Sequence, residues 1–297
     1  MQYILTGSIG NISKPIAQNL INAGHEVSII TSHAKNIEVI EQLGAKALVG
    51  SVEDAVFLTS AFAGADAVYL MIPPKWDVQE WYTYQQEVAQ NYVAAIQANH
   101  LKKVMVLSSI GAHMGKGAGP IDGLAYLESK LNKLSDVQAV YLRPSYFYYN
   151  FFSMIPLIKN MGIMGSNMPA DHNLVLTHTS DIANIASDYL LADKFNGKEI
   201  LYISSDTKTL AEVTSAIGKS IGKPELAWVQ FTDEQSLNGA LQAGLSPTLA
   251  EGYTTMGAAI TSQELEADYW KNEEKVAIGK VKLEDFIQEF AGAFALS

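Results

Sequence analysis

A glycine-rich turn follows directly on a short apolar run at the start of the chain, in the sequence Tyr3-Ile-Leu-Thr-Gly-Ser-Ile-Gly-Asn-Ile-Ser13. In such a turn Gly7 permits a tight passage from strand to helix, and Gly10 lets the backbone approach a pyrophosphate. Ser13 stands where a third small residue allows the helix to pack closely on the strand. Pro15 falls in the first helical turn, where its missing N–H removes no internal hydrogen bond. The pattern predicts the phosphate-binding loop of a dinucleotide-binding α/β domain, with an ordinary strand-to-helix turn as the alternative.

Composition and charge narrow the classes of protein. A chain of 297 residues with 48% hydrophobic content can bury a large core. The formal net charge of −11 argues against nucleic-acid binding, which needs clustered Lys and Arg. The absence of cysteine excludes disulfides and thiolate catalysis, and the histidines lack metal-ligand spacing, so no metal site is expected. Because there is no signal-peptide pattern and no apolar run of about 18 residues, we expect no membrane segment and a cytoplasmic location.

Apolar runs and helical patterns alternate through the first half of the chain. Such alternation predicts an α/β fold of the Rossmann type, a doubly wound parallel sheet covered by helices on both faces. Ligands of such sheets bind beyond the carboxyl ends of the strands. After the first run at 3–5, the predicted strands are Val27–Ile30, Ala47–Val49, Ala67–Ile72, Val104–Leu107 and Ala139–Leu142, and the predicted helices cover roughly 35–43, 53–63 and 80–98.

The segment after the second strand bears on the choice of cofactor. It reads Thr31-Ser-His-Ala-Lys35, with no carboxylate until Glu38. A carboxylate here would accept hydrogen bonds from the adenosine ribose and repel a 2′-phosphate. Hydroxyls, an imidazole and an ammonium can instead receive that phosphate. Ser32 and Lys35 therefore favour NADP(H) over NAD(H), and a solvated loop with an incidental lysine is the alternative.

A candidate proton-donor set follows the fifth strand. Ser108 and Ser109 come at the strand end, and Tyr126 and Lys130 lie four residues apart in the next predicted helix. Residues four apart share a helix face, so the ammonium can stabilise a phenolate while Ser109 holds a substrate carbonyl. This arrangement predicts Tyr126, Lys130 and Ser109 as catalytic residues. A random order of the same residues would also give about one such tyrosine–lysine pair.

Arg143 is the single arginine of the chain and stands before Pro144 at the end of a predicted strand. It is either an anion clamp or a hydrogen-bonding fork that braces two loops, and the fork is the favoured interpretation. The stretch from Pro144 to Phe147 could place backbone groups and aromatic faces beside a nicotinamide. His113 is a candidate general acid, with a partly exposed loop histidine as the favoured alternative.

Six segments occur in an order that is characteristic of one group of enzymes: Thr6-Gly-Ser-Ile-Gly-Asn-Ile12, Ala61-Phe-Ala-Gly-Ala-Asp-Ala-Val68, Leu107-Ser-Ser-Ile-Gly-Ala112, Glu128-Ser-Lys130, Leu142-Arg-Pro-Ser-Tyr-Phe147 with Asn150, and Ser180-Asp-Ile-Ala183. Together they resemble atypical short-chain dehydrogenase/reductases of the NmrA-like group. The resemblance spans roughly residues 1–195. It implies a Rossmann domain that binds NAD(P), with a smaller C-terminal α/β lobe over the nicotinamide end. The group includes quinone and isoflavone-type reductases, and redox-sensing regulators that bind the dinucleotide without turning it over.

The resemblance also implies particular cofactor contacts. Ser32 departs from the arginine that is common after the second strand, and many members lack a tyrosine at the position of Tyr126. Ser108, at the end of the fifth strand, is counted among the predicted contacts. The others are Gly7, Ile9, Gly10, Asn11 and Ile12 for the pyrophosphate, Ser32 for the adenosine end, Ile72 and Pro73 for the ribose, Lys130 for the nicotinamide ribose, and Pro144, Tyr146 and Phe147 for the ring pocket.

The predicted lobe is discontinuous. The chain is expected to leave the Rossmann domain after Asn150 and to return around a helix that Ser180 or Asp181 could cap. Within the lobe, Thr209–Ile221 predicts a capped amphipathic helix, and Leu283–Phe290 predicts a terminal one. The predicted Rossmann domain covers residues 1–150 and about 174–195, and the substrate lobe covers about 151–173 and 196–297.

These features predict an oxidoreductase that prefers NADP(H) and transfers hydride to a small electrophilic acceptor such as a quinone. Solvent or Tyr126 would supply the proton. The alternative is a non-catalytic dinucleotide sensor that acts through a protein partner, and nucleotide-sugar epimerisation is a third hypothesis. The partner indicated by the sequence is a small-molecule substrate, and monomer and dimer both stay open.

Overall fold

A computed structural model describes all 297 residues. Its thirteen strands form an eight-stranded sheet, a three-stranded sheet and a two-stranded sheet. The strands, in chain order, are β1 (Gln2–Leu5), β2 (Glu26–Thr31), β3 (Lys46–Val49), β4 (Ala67–Leu70), β5 (Lys103–Leu107), β6 (Gln138–Pro144), β7 (Tyr146–Phe147), β8 (Ile163–Ser166), β9 (Asn173–Thr177), β10 (Lys198–Ser204), β11 (Asp206–Thr209), β12 (Ala227–Gln230) and β13 (Val276–Ile278).

Twelve α-helices and five short 3₁₀ segments connect the strands. None of the helices combines the length and the apolarity that a membrane crossing needs. The helices are α1 (Ser13–Asn22), α2 (Ile37–Gln42), α3 (Ala55–Ala61), α4 (Trp81–Ala98), α5 (Asp122–Leu131), α6 (Ile155–Met161), α7 (Thr179–Leu191), α8 (Leu210–Ser220), α9 (Asp233–Gln242), α10 (Pro247–Thr261), α11 (Ala267–Trp270) and α12 (Leu283–Leu296), and the 3₁₀ segments are Ala34–Asn36, Ala112–Met114, Gly119–Ile121, Tyr148–Met154 and Glu273–Lys275.

The main sheet has the strand order β13-β10-β6-β5-β4-β1-β2-β3, and every pair in it is parallel. From β1 the chain first builds outward through β2 and β3, and then returns to the other side of β1 with β4. The loops after β1 and β4 therefore diverge and leave a crevice at the carboxyl edge of the sheet, the topological switch point. This arrangement confirms the predicted doubly wound Rossmann-type fold.

Helices cover both faces of the main sheet, which explains why its inner strands are nearly continuous apolar runs. Tyr3 and Tyr69 pack with α1 and α7 on one face. Val68 and Leu70 pack with α3, α4 and α5 on the other face. The alternation along β4 shows the two-residue period by which a strand feeds two cores at once.

A third core lies in the C-terminal part of the protein. There, β11-β9-β7 and β12-β8 form two small sheets beside α8 and α12. Its centre is aromatic: the Tyr148 and Phe286 rings stack with centroids 4.8 Å apart, and Phe152 stacks on Phe290 at 5.7 Å. This core attaches the C-terminal helix firmly to the segment that follows β7.

The domain boundaries predicted for the lobe need correction. β10 and β13, which fall in the predicted lobe segment 196–297, pair in the main sheet beside β6. β9, at the start of the predicted Rossmann segment, pairs instead with β7 and β11. The sheet to which a strand belongs is decided by its pairing partners, which lie far away in the chain. The three residues of β13 and the five residues of β9 do not by themselves indicate those partners.

Two helix caps test the capping predictions. Thr209 caps α8 through a capping box with Glu212, as the sequence predicts. The cap of α7 is His178, whose ring nitrogen accepts the Ser180 N–H, and not Ser180 or Asp181. Asp181 is buried, and its carboxylate instead accepts hydrogen bonds from Ser205 and from the Val281 N–H.

We expect a steric cost where the 3₁₀ segment Gly119–Ile121 contacts α10. A Cβ on Gly119, where φ is +59°, would collide with the carbonyl group of Gly252. Gly162 also has a positive φ, +68°, in the left-handed region, but a Cβ there would meet nothing within 4 Å. In urea unfolding, Gly162→Ala should lower the free energy of unfolding only by left-handed strain of about 1–2 kcal/mol, and Gly119→Ala should lower it further. Equal losses would contradict this close approach.

Candidate functional site

The glycine-rich loop joins β1 to α1 at the carboxyl edge of the sheet, beside the switch point. Gly7 has φ +88° and Ser8 has φ +54°, so two successive residues are left-handed. A Cβ on Gly7 would collide with the Ser13 hydroxyl, which donates a 2.8 Å hydrogen bond to the Thr6 carbonyl. Glycine is therefore required at position 7 both by conformation and by space, and Ser13 provides the predicted small residue.

Backbone donors are available where α1 begins. The Gly10 N–H donates to the Gly7 carbonyl and the Lys14 N–H donates to the Gly10 carbonyl, both at 3.1 Å. Between them, the N–H groups of Asn11 and Ile12 have no partner in the protein. A Cβ on Gly10 would lie only 3.0 Å from the Gly7 carbonyl oxygen. Unpaired donors at the first turn of a helix, beside a residue without a side chain, fit the pyrophosphate of a dinucleotide.

Three polar side chains connect this loop to the end of β2. The Ser8 hydroxyl donates to the Thr31 hydroxyl at 2.9 Å, and the Asn36 amide donates to both oxygens at 3.0 Å. Ser32 and Lys35, the predicted contacts at the adenosine end, are exposed on the same loop. The structure thus places both residues next to the glycine loop, and Asn36, which the sequence did not single out, holds the two loops together.

Two tyrosines of α4 hold the chain that leaves β4. The Tyr92 hydroxyl donates to the Met71 carbonyl at 2.7 Å, and the Tyr84 hydroxyl donates to the Pro73 carbonyl at 3.0 Å. Ile72 between them is buried. Ile72 and Pro73, the predicted ribose contacts, therefore lie at the switch point in a fixed segment. Besides packing in the core, the two tyrosines hold this segment by hydrogen bonds.

The two serines after β5 have different surroundings. Ser108 is buried, and its hydroxyl donates to a Glu128 carboxylate oxygen at 2.5 Å. Ser109 is half-buried and lies outside this bond. The Ile110 N–H donates to the Pro144 carbonyl at 3.0 Å, which ties the loop after β5 to the end of β6. Ser108 is thus committed to Glu128, and Ser109 is the serine at this edge that a ligand can reach.

Arg143 anchors a buried network at the end of β6. Its guanidinium forms a two-pronged ion pair with Glu128, at 2.6 and 3.1 Å, and contacts Asp268 at 3.1 Å and the Tyr202 hydroxyl at 3.2 Å. The Tyr202 hydroxyl also donates to Asp268. Burial and the bond to Asp268 raise the pKa of Tyr202 to about 12. These contacts confirm that Arg143 is a structural fork, joining α5, β6, β10 and α11.

The predicted pair Tyr126 and Lys130 lies on a different face of α5. The Lys130 ammonium sits 4.7 Å from the centroid of the Tyr126 ring, and the Gln90 amide donates to the Tyr126 hydroxyl at 3.0 Å. Partial burial raises the pKa of Tyr126, but the bonds from Lys130 and Gln90 outweigh it, so that the pKa lies below its ordinary value. The two residues therefore do meet, as their spacing predicts, on the side of α5 that faces α4.

Glu128 fixes the orientation of that helix. Each residue of an α-helix turns by about 100°, so Tyr126 and Lys130, two positions to either side of Glu128, point away from it by about 160°. Because α5 runs from the carboxyl end of β5 towards the amino end of β6, Lys130 in its last turn lies near the amino edge of the sheet. The structure thus does not bring Tyr126 and Lys130 together with Ser109.

The predicted ring-pocket segment lies between the main sheet and the lobe. Tyr146 and Phe147 form β7, which pairs with β9, and the Tyr146 ring contacts Phe151 with centroids 5.5 Å apart. Burial and the nearby Tyr253 phenol raise the pKa of Tyr146, so its hydroxyl stays protonated. The segment after Pro144 therefore has one aromatic hydroxyl in an apolar setting at the carboxyl edge.

A cavity of about 400 Å³ opens between the glycine loop and the lobe. Gly10 and Lys14 line one side of it. Tyr149, His178 and Glu289 line the other side, from the 3₁₀ segment after β7, the start of α7 and α12. The predicted pyrophosphate loop is thus one wall of a cleft whose other wall is built by the lobe and the start of α7.

Several residues around this edge have no signal in the sequence. Glu128 lies 15 positions from Arg143, and Asp268 lies 125 positions from it. His178 and Glu289 are 111 positions apart and meet only through the fold. Ion pairs across such separations follow no periodicity, so only the arrangement of α5, α11 and α12 around the sheet could reveal them.

A model of the NmrA-like family matches residues 3–287. The chain belongs to the NmrA-like family. The match extends beyond the 1–195 span of the motifs and includes nearly all of the lobe. It therefore confirms the resemblance drawn from the six ordered segments.

Solved structures with a similar fold include several reductases. An NADPH-dependent quinone oxidoreductase from Escherichia coli in complex with NADPH has a TM-score of 0.81 at 17% identity, over 97% of this chain and 99% of that chain. A triphenylmethane reductase from Citrobacter sp. complexed with NADP(H) has a TM-score of 0.77 at 16% identity, over 97% of this chain and 99% of that one. A nucleoside-diphosphate-sugar epimerase from Staphylococcus aureus also has a TM-score of 0.77 at 16% identity, over 97% and 100%. At such identities the likeness establishes the fold alone.

A curated relative comes from Mycobacterium tuberculosis and is named only provisionally as an oxidoreductase. It is 24% identical over 131 residues, which is 42% of this chain. The match spans 59% of that protein's length. The chain thus spans only part of this relative's length, and its activity is left to be proposed.

The Arg143 network generates a stability prediction. Glu128→Gln removes one charge of a buried ion pair and should lower the free energy of unfolding by about 3–5 kcal/mol, because the guanidinium loses its main partner. The matched control is Asp193→Asn, which breaks the more exposed ion pair with Lys103 at 2.7 Å and should cost less than about 1 kcal/mol. Chemical denaturation measures both, and similar small losses would contradict the bracing role.

Proposed function

We propose that this protein is an NAD(P)H-dependent oxidoreductase that passes hydride from NADPH to a small electrophilic acceptor such as a quinone. The observation that carries the proposal is the glycine loop at the switch point, where Asn11 and Ile12 offer unpaired N–H groups. Family membership supports it, as do two reductases of similar fold that are complexed with NADPH and with NADP(H).

The protein would contribute binding, orientation and exclusion of water. When bound, the dinucleotide supplies a hydride, two electrons with one hydrogen nucleus, and the quinone that accepts it takes one proton from solvent to become the hydroquinone. Tyr84 and Tyr92 would hold the ribose-side segment in place, and Tyr146 with the lobe would shield the ring from water. Because a quinone accepts hydride readily, this reaction needs no strong side-chain acid.

NADPH fluorescence tests the proposal directly. The purified protein is mixed with NADPH and then with a simple quinone, and fluorescence is followed in a stopped-flow instrument. We expect binding followed by rapid loss of the fluorescence as NADPH is oxidised. Absence of NADPH binding would rule out the dinucleotide site.

A dinucleotide sensor is the second candidate function. It is favoured by the Tyr126 hydroxyl, which is bonded to Gln90 on the side of α5 away from Glu128, so that the predicted catalytic phenol does not accompany Ser109. Comparable affinity for oxidised and reduced dinucleotide, with turnover near background for several quinones, would support this function over the reductase.

We propose that NADPH is preferred through Lys35. Lys35→Glu should raise the dissociation constant of NADPH by at least about 10-fold and leave that of NADH unchanged, because a charge-assisted hydrogen bond contributes about 1.5–3 kcal/mol. Lys46→Glu, at an exposed lysine that begins β3, is the matched control. Fluorescence titration measures the dissociation constants of NADPH and NADH for both variants. An equal loss of NADPH affinity in both would mean that the effect comes from net charge and not from a contact with Lys35.

Tyr126→Phe tests the predicted catalytic tyrosine. A proton donor contributes about 10²–10⁴-fold to a rate. Since the Tyr126 hydroxyl is bonded to Gln90 on the side of α5 that faces α4, we expect the variant to oxidise NADPH with a quinone at the wild-type rate. A loss of the size expected for a proton donor would restore the sequence-based assignment.

A further inference from the structure

Two phenols near the carboxyl edge of the main sheet keep their hydroxyl groups free. Tyr146 in β7 and Tyr253 in α10 are both half-buried. Neither hydroxyl forms a hydrogen bond within the protein, and neither is sealed from solvent as the unpartnered hydroxyls of Tyr69 and Tyr148 are. A ligand that enters between the sheet and the lobe can therefore use them as hydrogen-bond donors.

The two aromatic side chains of β7 point to opposite sides, as the two-residue period of a strand requires. Phe147 packs against the core that the main sheet forms with α1 and α7, which includes Ile12 of the glycine loop. Tyr146 packs against the lobe core. A nicotinamide beside this segment, the predicted ring pocket, therefore has Tyr146 on its lobe side, where an acceptor has to lie to receive a hydride.

The backbone at Tyr146 is held from both sides. The Ser145 N–H donates to the Ile203 carbonyl at 3.1 Å and to the Thr177 hydroxyl at 3.2 Å. Tyr146 itself pairs with Leu176 in the ladder between β7 and β9. A donor on such a fixed segment needs little reorganisation when charge develops beside it.

An aromatic pair lies next to this phenol. Trp76, in the segment between β4 and α4, stacks on Tyr253 with ring centroids 6.1 Å apart and an angle of 16° between the planes. Trp76 is 56% exposed. Its segment is fastened to α10, because the Trp81 indole N–H donates to the Thr248 carbonyl at 2.8 Å. Planar surfaces near Tyr146 suit a planar acceptor.

The surroundings of Tyr146 keep its hydroxyl protonated. Burial and the nearby Tyr253 phenol raise the pKa of Tyr146. The Asn150 side chain approaches the hydroxyl without hydrogen-bonding geometry and lowers the pKa by less. Burial also raises the pKa of Tyr253. Tyr146 therefore suits the role of a hydrogen-bond donor that keeps its proton, and not that of a general acid.

We propose that Tyr146 is a catalytic residue whose hydroxyl donates a hydrogen bond to the oxygen of a planar carbonyl acceptor, the oxygen that gains negative charge when hydride is transferred. The proposal rests on the proposed reductase function and adds a catalytic residue and the class of acceptor. A quinone takes two electrons and one hydrogen nucleus from NADPH, which leaves NADP⁺. The hydroquinone monoanion carries its charge on the oxygen beside Tyr146, and water then supplies the second hydrogen nucleus.

Single-turnover kinetics test the variant Tyr146→Phe, which removes the hydroxyl and keeps the ring. The loss of NADPH fluorescence is followed in a stopped-flow instrument at several concentrations of an uncharged methylnaphthoquinone. Tyr146→Phe should lower the limiting rate by about 10²-fold, as expected for one donor to a developing oxyanion. The quinone concentration that gives half of this rate should change much less, because the bond strengthens only in the transition state. An unchanged limiting rate would overturn the proposal.

Tyr189→Phe is the matched control. The Tyr189 hydroxyl lies 3.4 Å from the Glu199 carboxylate, near the amino end of β10, so its loss should change neither quantity. The dissociation constant of NADPH, measured without quinone, should be the same for Tyr146→Phe and the wild type. A loss confined to NADPH affinity would make Tyr146 a cofactor contact, and that result also overturns the proposal.

Binding of 4-nitrophenolate separates a failure of this proposal from a failure of the reductase function. This planar anion carries its charge on a ring oxygen, and its binding to the NADP⁺-saturated protein is followed by absorbance, at a pH where it is ionised. If no quinone is reduced, the reductase function fails and the anion decides. Binding that is weakened by at least about 10-fold in Tyr146→Phe, the worth of a charge-assisted bond, then supports the donor. Binding that is absent, or equal in both proteins, overturns it.

Discussion

Arg143 buries a guanidinium at the point where the sheet meets the lobe, and the cost of removing that charge from water constrains everything around it. A buried charge is stable only when paired and hydrogen-bonded. Glu128 from α5, Asp268 from α11 and Tyr202 from β10 supply those partners. Four elements must therefore come together at the end of β6, and the same carboxylate of Glu128 also binds Ser108 at the edge where ligands would approach.

Side chains from neighbouring elements hold the loops at the carboxyl edge of the sheet in place. The switch point separates the loops after β1 and β4, and each loop is held by side chains from a neighbouring element: Asn36 on the first, and Tyr84 and Tyr92 on the second. Fixed loops around unpaired backbone donors are what a dinucleotide site requires, because orienting the ligand then costs little reorganisation. The lobe closes the other side, where its aromatic core meets the glycine loop across a cavity that Lys14 and Glu289 also line.

The case of Tyr126 and Lys130 shows how a correct local inference can lead to a wrong location. Their spacing predicts that they share a helix face, and in the structure the ammonium does lie over the ring. Spacing says nothing about the direction in which that face points. The direction is decided by Glu128, which turns towards Ser108 and Arg143, so that the pair faces α4. A tyrosine–lysine pair that occurs about as often as chance predicts therefore indicates a catalytic role only when the position of its helix in the fold is known.

Local rules in the sequence determined much of this protein: the glycine turn before α1, the alternation that gives the doubly wound sheet, the capping box of Thr209 and the family itself. These features depend on neighbours within a few residues or on repeating periods. The tertiary structure decided the partners of Arg143, the membership of β10 and β13 in the main sheet, the cap of α7 and the cavity beside Lys14. Each of these depends on contacts between residues far apart in the chain, where no periodicity exists and where burial and charge pairing select one arrangement from many.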